Sequence, residues 1–146
     1  MNGIYVEKFG GASVNSASSV RNVVSILQSE EKKRIVVVSA MGKTTNSLEK
    51  IVNLWHSEKT VNNEEFDKLQ HYHLSIAEEL FANEEAKNSC KNLIKHLIAE
   101  SREKILTLNH NDYDFLYDCI VSYGERISTS IISAYMTSIG FAHEHI

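Results

Sequence analysis

Two kinds of apolar spacing occur within the first 40 residues, and each predicts a different element. Residues 4–9 form a short run that favours a β-strand, and the glycine pair that follows ends it. A helix is expected next, capped by Asn15 or Ser16, with one apolar face that bears Val20, Val23, Val24 and Leu27. Residues 34–39, RIVVVS, are apolar without alternation, which indicates a strand covered on both faces. Strand, helix and strand with short links form a βαβ unit, so the two strands are expected to be parallel.

The residues after the second predicted strand have helical spacing almost throughout. A polar loop, MGKTTNS, precedes a helix that Thr45 or Asn46 is expected to cap. Its apolar face bears Leu48, Ile51, Val52 and Trp55. Three longer helices are expected over residues 64–81, 84–108 and 113–138. The buried face of the second of these is expected to comprise Leu93, Ile94, Leu97, Ile98, Ile105 and Leu108.

The β-sheet that these elements could form is small for an α/β protein. Gly124 is expected to kink or restart the last helix, and residues 140–146, GFAHEHI, have the character of a third strand that has only begun. Open sheets usually hold about four to six strands. Either the helices supply most of the core, or residues 1–146 are the front part of a larger domain. We favour the second interpretation.

Composition and charge exclude several classes of function. The 146 residues are 42% hydrophobic and 23% charged, as in an ordinary globular domain. The net charge of −4 argues against a nucleic-acid-binding protein, which usually carries a broad basic surface. No apolar stretch is long enough to suggest a membrane span, and the N-terminus does not resemble a signal peptide. Cys90 and Cys119 form neither a disulfide framework nor a zinc pattern, so a cytoplasmic location is expected.

The first candidate site follows the first predicted strand. Gly10 and Gly11 would let the backbone approach a phosphate closely, and the helix that follows offers unpaired N–H groups. Lys8 would add a full positive charge to such an anion site. The alternative is a plain strand–helix turn with an exposed lysine. The spacing by itself leaves both open, because it fits neither the GxGxxG pattern nor a P-loop.

Two further segments carry candidate chemistry. GKT at residues 42–44 is similar to the end of a P-loop, but the glycine required five positions earlier is replaced by Val37. What remains is a loop rich in hydroxyl groups after a buried strand, where open α/β sheets bind ligands. Glu125 suits an ammonium group on a ligand, or it is a surface or helix-start glutamate. His71 and His73 point to different sides of a helix, so no metal site is expected.

Three segments together resemble those of aspartokinases, which belong to the amino-acid kinase family. They are KFGGAS followed by Val14, VVVSAMGKTTN, and VSYGERISTSI, in the family's order and approximate separation. The resemblance implies that residues 1–146 are the N-terminal, aspartate-binding portion of the family's three-layer α/β fold. It also implies phosphorylation of the side-chain carboxylate of L-aspartate by ATP with Mg²⁺. The product, 4-phospho-L-aspartate, opens the route to lysine, threonine and methionine.

The resemblance also assigns roles to single residues. The nucleotide-phosphate segment comprises Lys8, Phe9, Gly10, Gly11 and Ser13, with Lys8 as the catalytic residue. The substrate-binding residues are Ser39, Thr45 and Glu125, of which Glu125 holds the substrate ammonium. Ala12 departs from the family, which usually has threonine or serine there, so Ser13 is expected to carry more of the phosphate contact.

Only the front part of a family member is covered by this resemblance. Family members bind adenine and ribose with their second half, and aspartokinases add regulatory ACT domains. Residues 1–146 alone are therefore expected to be inactive, and the full-length enzyme is expected to be a homo-oligomer. One alternative is a kinase for glutamate or acetylglutamate, against which the KFGG segment argues. Another is a non-catalytic helical module that binds a partner through residues 64–108, which would leave the glycine pair unexplained.

Overall fold

The computed structural model describes residues 3–29, 32–108 and 112–146, and it has a mixed α/β fold. The elements are β1 (Tyr5–Phe9), a 3₁₀ turn (Gly11–Val14), α1 (Ala17–Gln28), β2 (Arg34–Val38), α2 (Thr44–Glu58), α3 (Asn63–Leu80), α4 (Glu84–Thr107) and α5 (Tyr113–Ser138). The α/β class, the βαβ start and the long helices predicted from the sequence are confirmed.

The two strands pair in parallel, and only one face of their sheet is covered. Val6 pairs with Ile35, and Lys8 pairs with Val37, so these four side chains share a face. The three apolar members of this face are 68%, 50% and 44% exposed at Val6, Ile35 and Val37. Val38, on the opposite face, belongs to the core. The prediction that β2 is covered on both faces is therefore wrong for this chain, because its helices pack against one side only.

Side-chain caps explain where four of the described α-helices begin. Each capping oxygen accepts a hydrogen bond from a backbone N–H in the first turn; the capping residues are Ser16, Asn62, Asn83 and Asp112. Helix α2 differs, because it follows Lys43, whose side chain makes no capping hydrogen bond. The prediction that Thr45 or Asn46 caps α2 is wrong, since the helix already begins at Thr44.

Helices α2 to α5 supply most of the core. Their fully buried side chains include Ile51, Phe66, Ile94, Ile105, Ile120 and Ile131. Leu93 was expected on the buried face of α4 but is 37% exposed. Ile94 and Leu97 lie at the middle of that apolar face, and Leu93 lies at its margin. Among the described residues, no helix combines the length and the apolar character that crossing a membrane requires.

Two expectations for the C-terminal part are wrong. Helix α5 runs without interruption through Gly124, so this glycine neither kinks nor restarts it. Residues 141–146 form no strand. Gly140 ends the helix with a φ of 72°, and the N–H of Phe141 donates to the carbonyl of Met136 at 2.9 Å. This segment follows the helix end as a loop, and the sheet of the described chain has two strands.

Candidate functional site

Two loops meet at the carboxyl end of the sheet. We call residues 10–14, after β1, the first loop, and residues 39–43, after β2, the second loop. The N–H of Ser39 donates to the carbonyl of Phe9 at 3.0 Å, and the N–H of Gly42 donates to the carbonyl of Gly11 at 3.0 Å. The pairing of the two strands thus continues into the loops and holds them side by side.

The two glycines of the first loop have different surroundings. A Cβ atom at Gly11 would lie 2.4 Å from the carbonyl oxygen of Ala40, so the close contact between the loops requires glycine at that position. At Gly10, a Cβ atom would meet nothing within 4 Å. Gly11 therefore fixes the distance between the loops, whereas Gly10 borders open space in which a ligand could approach the backbone.

The third sequence segment, on α5, reaches the second loop. A Cβ atom at Gly124 would lie 2.8 Å from the Cβ of Ala40, so the absence of a side chain lets the helix pack closely on this loop. The Ser128 hydroxyl donates to the carbonyl of Ser39 at 2.9 Å. The N–H of Ala40 donates to Oε1 of Glu125 at 3.4 Å. The structure thus brings together the three segments that are far apart in the sequence.

Most of the polar groups that are expected to bind ligand make no hydrogen bond or ion pair with the described residues. Lys8 is exposed, and its amine has no hydrogen bond or ion pair with any residue that the structure describes. The same holds for the hydroxyl groups of Ser13, Ser39 and Thr45. Among the described residues, the exposed carboxylate of Glu125 has a hydrogen bond only with the backbone of the second loop, and that bond is long. These groups can therefore accept a ligand without first breaking an internal interaction.

Tyr72, on α3, contacts both loops, which the sequence did not indicate. Its hydroxyl donates to the carbonyl of Asn15 at 2.8 Å, next to the first loop. Its ring also lies beside Gly42, where an added Cβ would be 2.7 Å from the tyrosine oxygen. Gly42 has a φ of 54°, in the left-handed region that favours glycine. Burial raises the pKa of Tyr72, so its hydroxyl remains a donor at neutral pH.

His73 follows on the same helix and is fully buried. Its Nδ1 lies 2.8 Å from the carbonyl oxygen of Leu69, and its Nε2 lies 3.2 Å from the hydroxyl of Thr44, in the first turn of α2. The sequence suggested this histidine only as a candidate metal ligand. Helical spacing from Phe66 and Leu69 places it on the buried face of α3, which was the available signal. The described residues contain no group of three or more metal-ligating side chains.

We expect His73 to make the protein sensitive to mild acid. Burial lowers the pKa of His73 from 6.5 to about 4, while the bond to the Leu69 carbonyl opposes this shift. Because the unfolded chain then binds a proton that the folded chain does not, stability is complete above about pH 6.5 and falls as the pH decreases toward 4. Between pH 7.5 and pH 5 the free energy of unfolding should fall by about 2 kcal/mol from this group.

Urea unfolding of the unaltered chain, His73→Gln and His71→Gln at several pH values measures this contribution. His71 is exposed on the same helix and serves as the control. His73→Gln should be less stable at pH 7.5 but should lose less stability on acidification. If its pH dependence equals that of the His71 control, His73 does not carry the acid sensitivity.

Two cavities flank this region. One, of about 400 Å³, lies between the second loop and α3. The other, of about 910 Å³, runs between β2 and the C-terminal half of α5. Neither is lined by Lys8 or Glu125. Both side chains are exposed to solvent.

Comparison with known protein families gives a match over almost all of the chain. The model of the amino acid kinase family matches residues 3–146. Aspartokinase 2, chloroplastic, from Arabidopsis thaliana is 36% identical over 145 residues, which is 92% of this chain and 25% of the relative. An aspartokinase from Chlamydia trachomatis is 42% identical over 73 residues, or 50% of this chain and 16% of that protein. The chain thus spans about a quarter of the length of the Arabidopsis relative.

Solved structures with a similar fold are also aspartokinases. E. coli aspartokinase III in complex with lysine and aspartate has a TM-score of 0.77 and 25% identity, covering 95% of this chain and 30% of the solved one. The same enzyme in complex with aspartate and ADP has a TM-score of 0.71 and 24% identity, covering 94% of this chain and 30% of the other.

Proposed function

This chain belongs to the amino acid kinase family, and we propose that it forms the aspartate-binding part of an aspartate kinase. The reaction would transfer the γ-phosphoryl group of ATP to the side-chain carboxylate of L-aspartate. The products would be 4-phospho-L-aspartate and ADP, as the first step toward lysine, threonine and methionine. The observation that carries the proposal is the convergence of Gly11, Ala40 and Glu125 from three separate segments.

Phosphoryl transfer to a carboxylate makes modest chemical demands on the protein. The carboxylate of aspartate is ionised and nucleophilic at neutral pH, so no general base is needed. An oxygen of this carboxylate would attack the γ-phosphorus while the bond to the bridging oxygen breaks, and that oxygen leaves with ADP. Catalysis then depends on positioning and on neutralising the phosphoryl charge. Lys8 is exposed and has no partner among the described residues, which suits it to the second task.

The substrate ammonium is assigned to Glu125. Its carboxylate makes one long hydrogen bond, 3.4 Å from the N–H of Ala40, so it retains acceptor capacity toward a ligand. Ser39 follows β2 and Thr45 lies in the first turn of α2, and we propose that their hydroxyls orient the rest of the amino acid. Ser128 holds the carbonyl of Ser39 and thereby keeps the loop in place.

The surroundings of Lys8 and the glycine pair fit the phosphates of a nucleotide. The open space at Gly10 would admit phosphate oxygens next to the backbone, and the Ser13 hydroxyl in the same loop has no hydrogen bond with any described residue. Phe9 takes part through its backbone, because its side chain packs against the core. The described residues offer no group of three or more metal-ligating side chains, and in this proposal Mg²⁺ would enter with the nucleotide. It would neutralise part of the phosphate charge.

The remainder of the nucleotide site is assigned to residues beyond this chain. Neither of these two cavities is lined by Lys8, and the Arabidopsis relative is about four times as long as the segment that matches this chain. We therefore propose that residues 1–146 alone do not turn over ATP. The same proposal includes a homo-oligomeric, cytoplasmic full-length enzyme with regulatory ACT domains.

Replacement of Glu125 by glutamine tests this function. In the full-length enzyme, Glu125→Gln should raise the KM for L-aspartate about 10- to 100-fold, because loss of a charge-assisted hydrogen bond costs about 1.5–3 kcal/mol. The KM for ATP should stay within about twofold, since the ammonium contact is remote from the nucleotide. A coupled assay of ADP release gives both constants.

The same assay with L-glutamate and N-acetyl-L-glutamate distinguishes the alternative kinases. Glu103→Gln, an exposed change on α4, is the matched control. Phosphorylation of aspartate alone, with only the Glu125 variant impaired, supports the proposal. Preference for either glutamate substrate, or an unchanged aspartate KM in Glu125→Gln, would contradict it.

A further inference from the structure

We infer that Thr44 and His73 are a pair of positioning residues that hold the first turn of α2, and with it Thr45, in the geometry that aspartate binding requires. The inference rests on the proposed function, in which Thr45 contacts the substrate. Neither residue of the pair needs to touch a ligand. Their role is to set the orientation of the residue that does.

The start of α2 lacks the usual means of fixing a helix end. Of the five described α-helices, α2 is the one whose N-cap side chain, that of Lys43, makes no capping hydrogen bond. A missing cap leaves the first turn less stable by about 1 kcal/mol and more prone to fray. Yet this turn carries Thr45, whose hydroxyl has no hydrogen bond to any described residue. Something other than a cap has to order it.

The pair supplies that order from the adjacent helix. Thr44 is 2% exposed and His73 is 0% exposed, so each polar group has to find its partner within the protein. The carbonyl oxygen of Leu69 can only accept, so Nδ1 of His73, 2.8 Å away, carries the proton. Nε2 is then an acceptor, and the Thr44 hydroxyl donates to it at 3.2 Å. The direction of every hydrogen bond in this chain of groups is therefore determined.

Neighbouring contacts make this support rigid. The ring of Tyr72 packs edge-on against that of His73, with 4.9 Å between centroids. The same tyrosine bonds to the carbonyl of Asn15 and lies against Gly42. The second loop is thus held by α3 immediately before α2 begins, and Thr44 is held at the point where it begins. Loss of the Thr44 contact would leave the first turn of α2 with its backbone hydrogen bonds and the side-chain hydrogen bond between Ser47 and Glu65.

The expected consequence is selective for aspartate. Thr44→Val removes the hydroxyl and keeps the shape of the side chain, while His73→Phe keeps a ring and removes both nitrogen atoms. Each should raise the aspartate KM of the full-length enzyme roughly fivefold, the ratio that corresponds to one neutral hydrogen bond. The kcat and the KM for ATP should stay within about twofold. Thr44→Ser, which keeps the hydroxyl, should behave like the unaltered enzyme.

Hydrogen exchange measures the positioning without any assay of activity. The N–H of Thr44 donates to the carbonyl of Met41, and that of Ser47 to the carbonyl of Lys43. These amides should exchange roughly fivefold faster in Thr44→Val and His73→Phe than in the unaltered protein. His71→Phe, at an exposed position of α3, is the control and should change neither exchange nor KM. The double variant Thr44→Val/His73→Phe should be no worse than either single variant.

Several results would overturn the inference. These are unchanged exchange in Thr44→Val, additive effects in the double variant, or equal changes in kcat and both KM values. If His73→Phe does not fold, the comparison of Thr44→Val with Thr44→Ser decides by itself. Lack of aspartate phosphorylation by the unaltered enzyme would contradict the proposed function, whereas the exchange measurement would still decide the positioning role.

Discussion

Lys8→Ala is expected to lower the kcat of the full-length enzyme about 10²- to 10³-fold, the usual effect of removing one electrostatic donor from a developing charge. Lys8 lies at the end of β1, exposed and without a partner among the described residues. Its charge would therefore act on the transferred phosphoryl group and not on an internal carboxylate. Charge is redistributed over the phosphoryl oxygens in the transition state, so Lys8 should stabilise that state more than the bound substrates. The kcat should therefore fall, while the aspartate KM changes by less than about threefold.

Steady-state kinetics of the purified variant measure both constants. Lys95→Ala, which removes an exposed lysine from α4, controls for the change in net charge. Lys8→Arg keeps the charge but changes its position, so it should retain part of the activity. If the kcat of Lys8→Ala is close to that of the unaltered enzyme, Lys8 has no catalytic role.

Gly11→Ala should unfold or distort the site, whereas Gly10→Ala should be tolerated by the fold. The new Cβ at Gly11 would lie 2.4 Å from the carbonyl oxygen of Ala40, a backbone atom that cannot move without the second loop. Relief of this contact would also weaken the bond from the N–H of Gly42 to the carbonyl of Gly11. We expect a loss of about 2–4 kcal/mol, from overpacking and from the hydrogen bond.

Gly10 provides the matched comparison within the same loop. It has a φ of −75° and no atom within 4 Å of the added Cβ, so alanine there should change stability by less than about 1 kcal/mol. Urea unfolding of both variants of this chain measures the difference. If the two variants are destabilised equally, the close contact between the loops does not explain the need for glycine at position 11.

Much of the local structure follows from short-range signals. Val20, Val23, Val24 and Leu27 recur at helical spacing, and all four are buried on α1. Ser16 was one of two candidates for its cap, and it accepts the hydrogen bond from the N–H of Ser19. Helix caps and apolar periodicity involve residues within about four positions of each other, which is why a single sequence is enough to predict them. The resemblance of three motifs likewise identified the family.

The errors at Gly124 and at β2 have a common cause, because both concern contacts between distant segments. Gly124 was expected to interrupt α5, but it allows that helix to pack on Ala40, which is remote in the sequence. The apolar run of β2 was expected to be covered twice, but Ile35 and Val37 are exposed. A run of β-branched residues indicates that a strand prefers apolar surroundings. It does not report which other segment provides them.

The sequence by itself determined the helices, the parallel strands and the family, and its motifs marked candidate site residues from Lys8 to Glu125. Tertiary structure decided how these residues are held. The distance of Gly11 from Ala40, the bond from Ser128 to the carbonyl of Ser39, and the burial of His73 against Thr44 all join segments that no local spacing relates. The physical reason is that the pattern of apolar residues specifies which face of an element is buried, whereas the hydrogen bonds and close contacts depend on which neighbour that face meets.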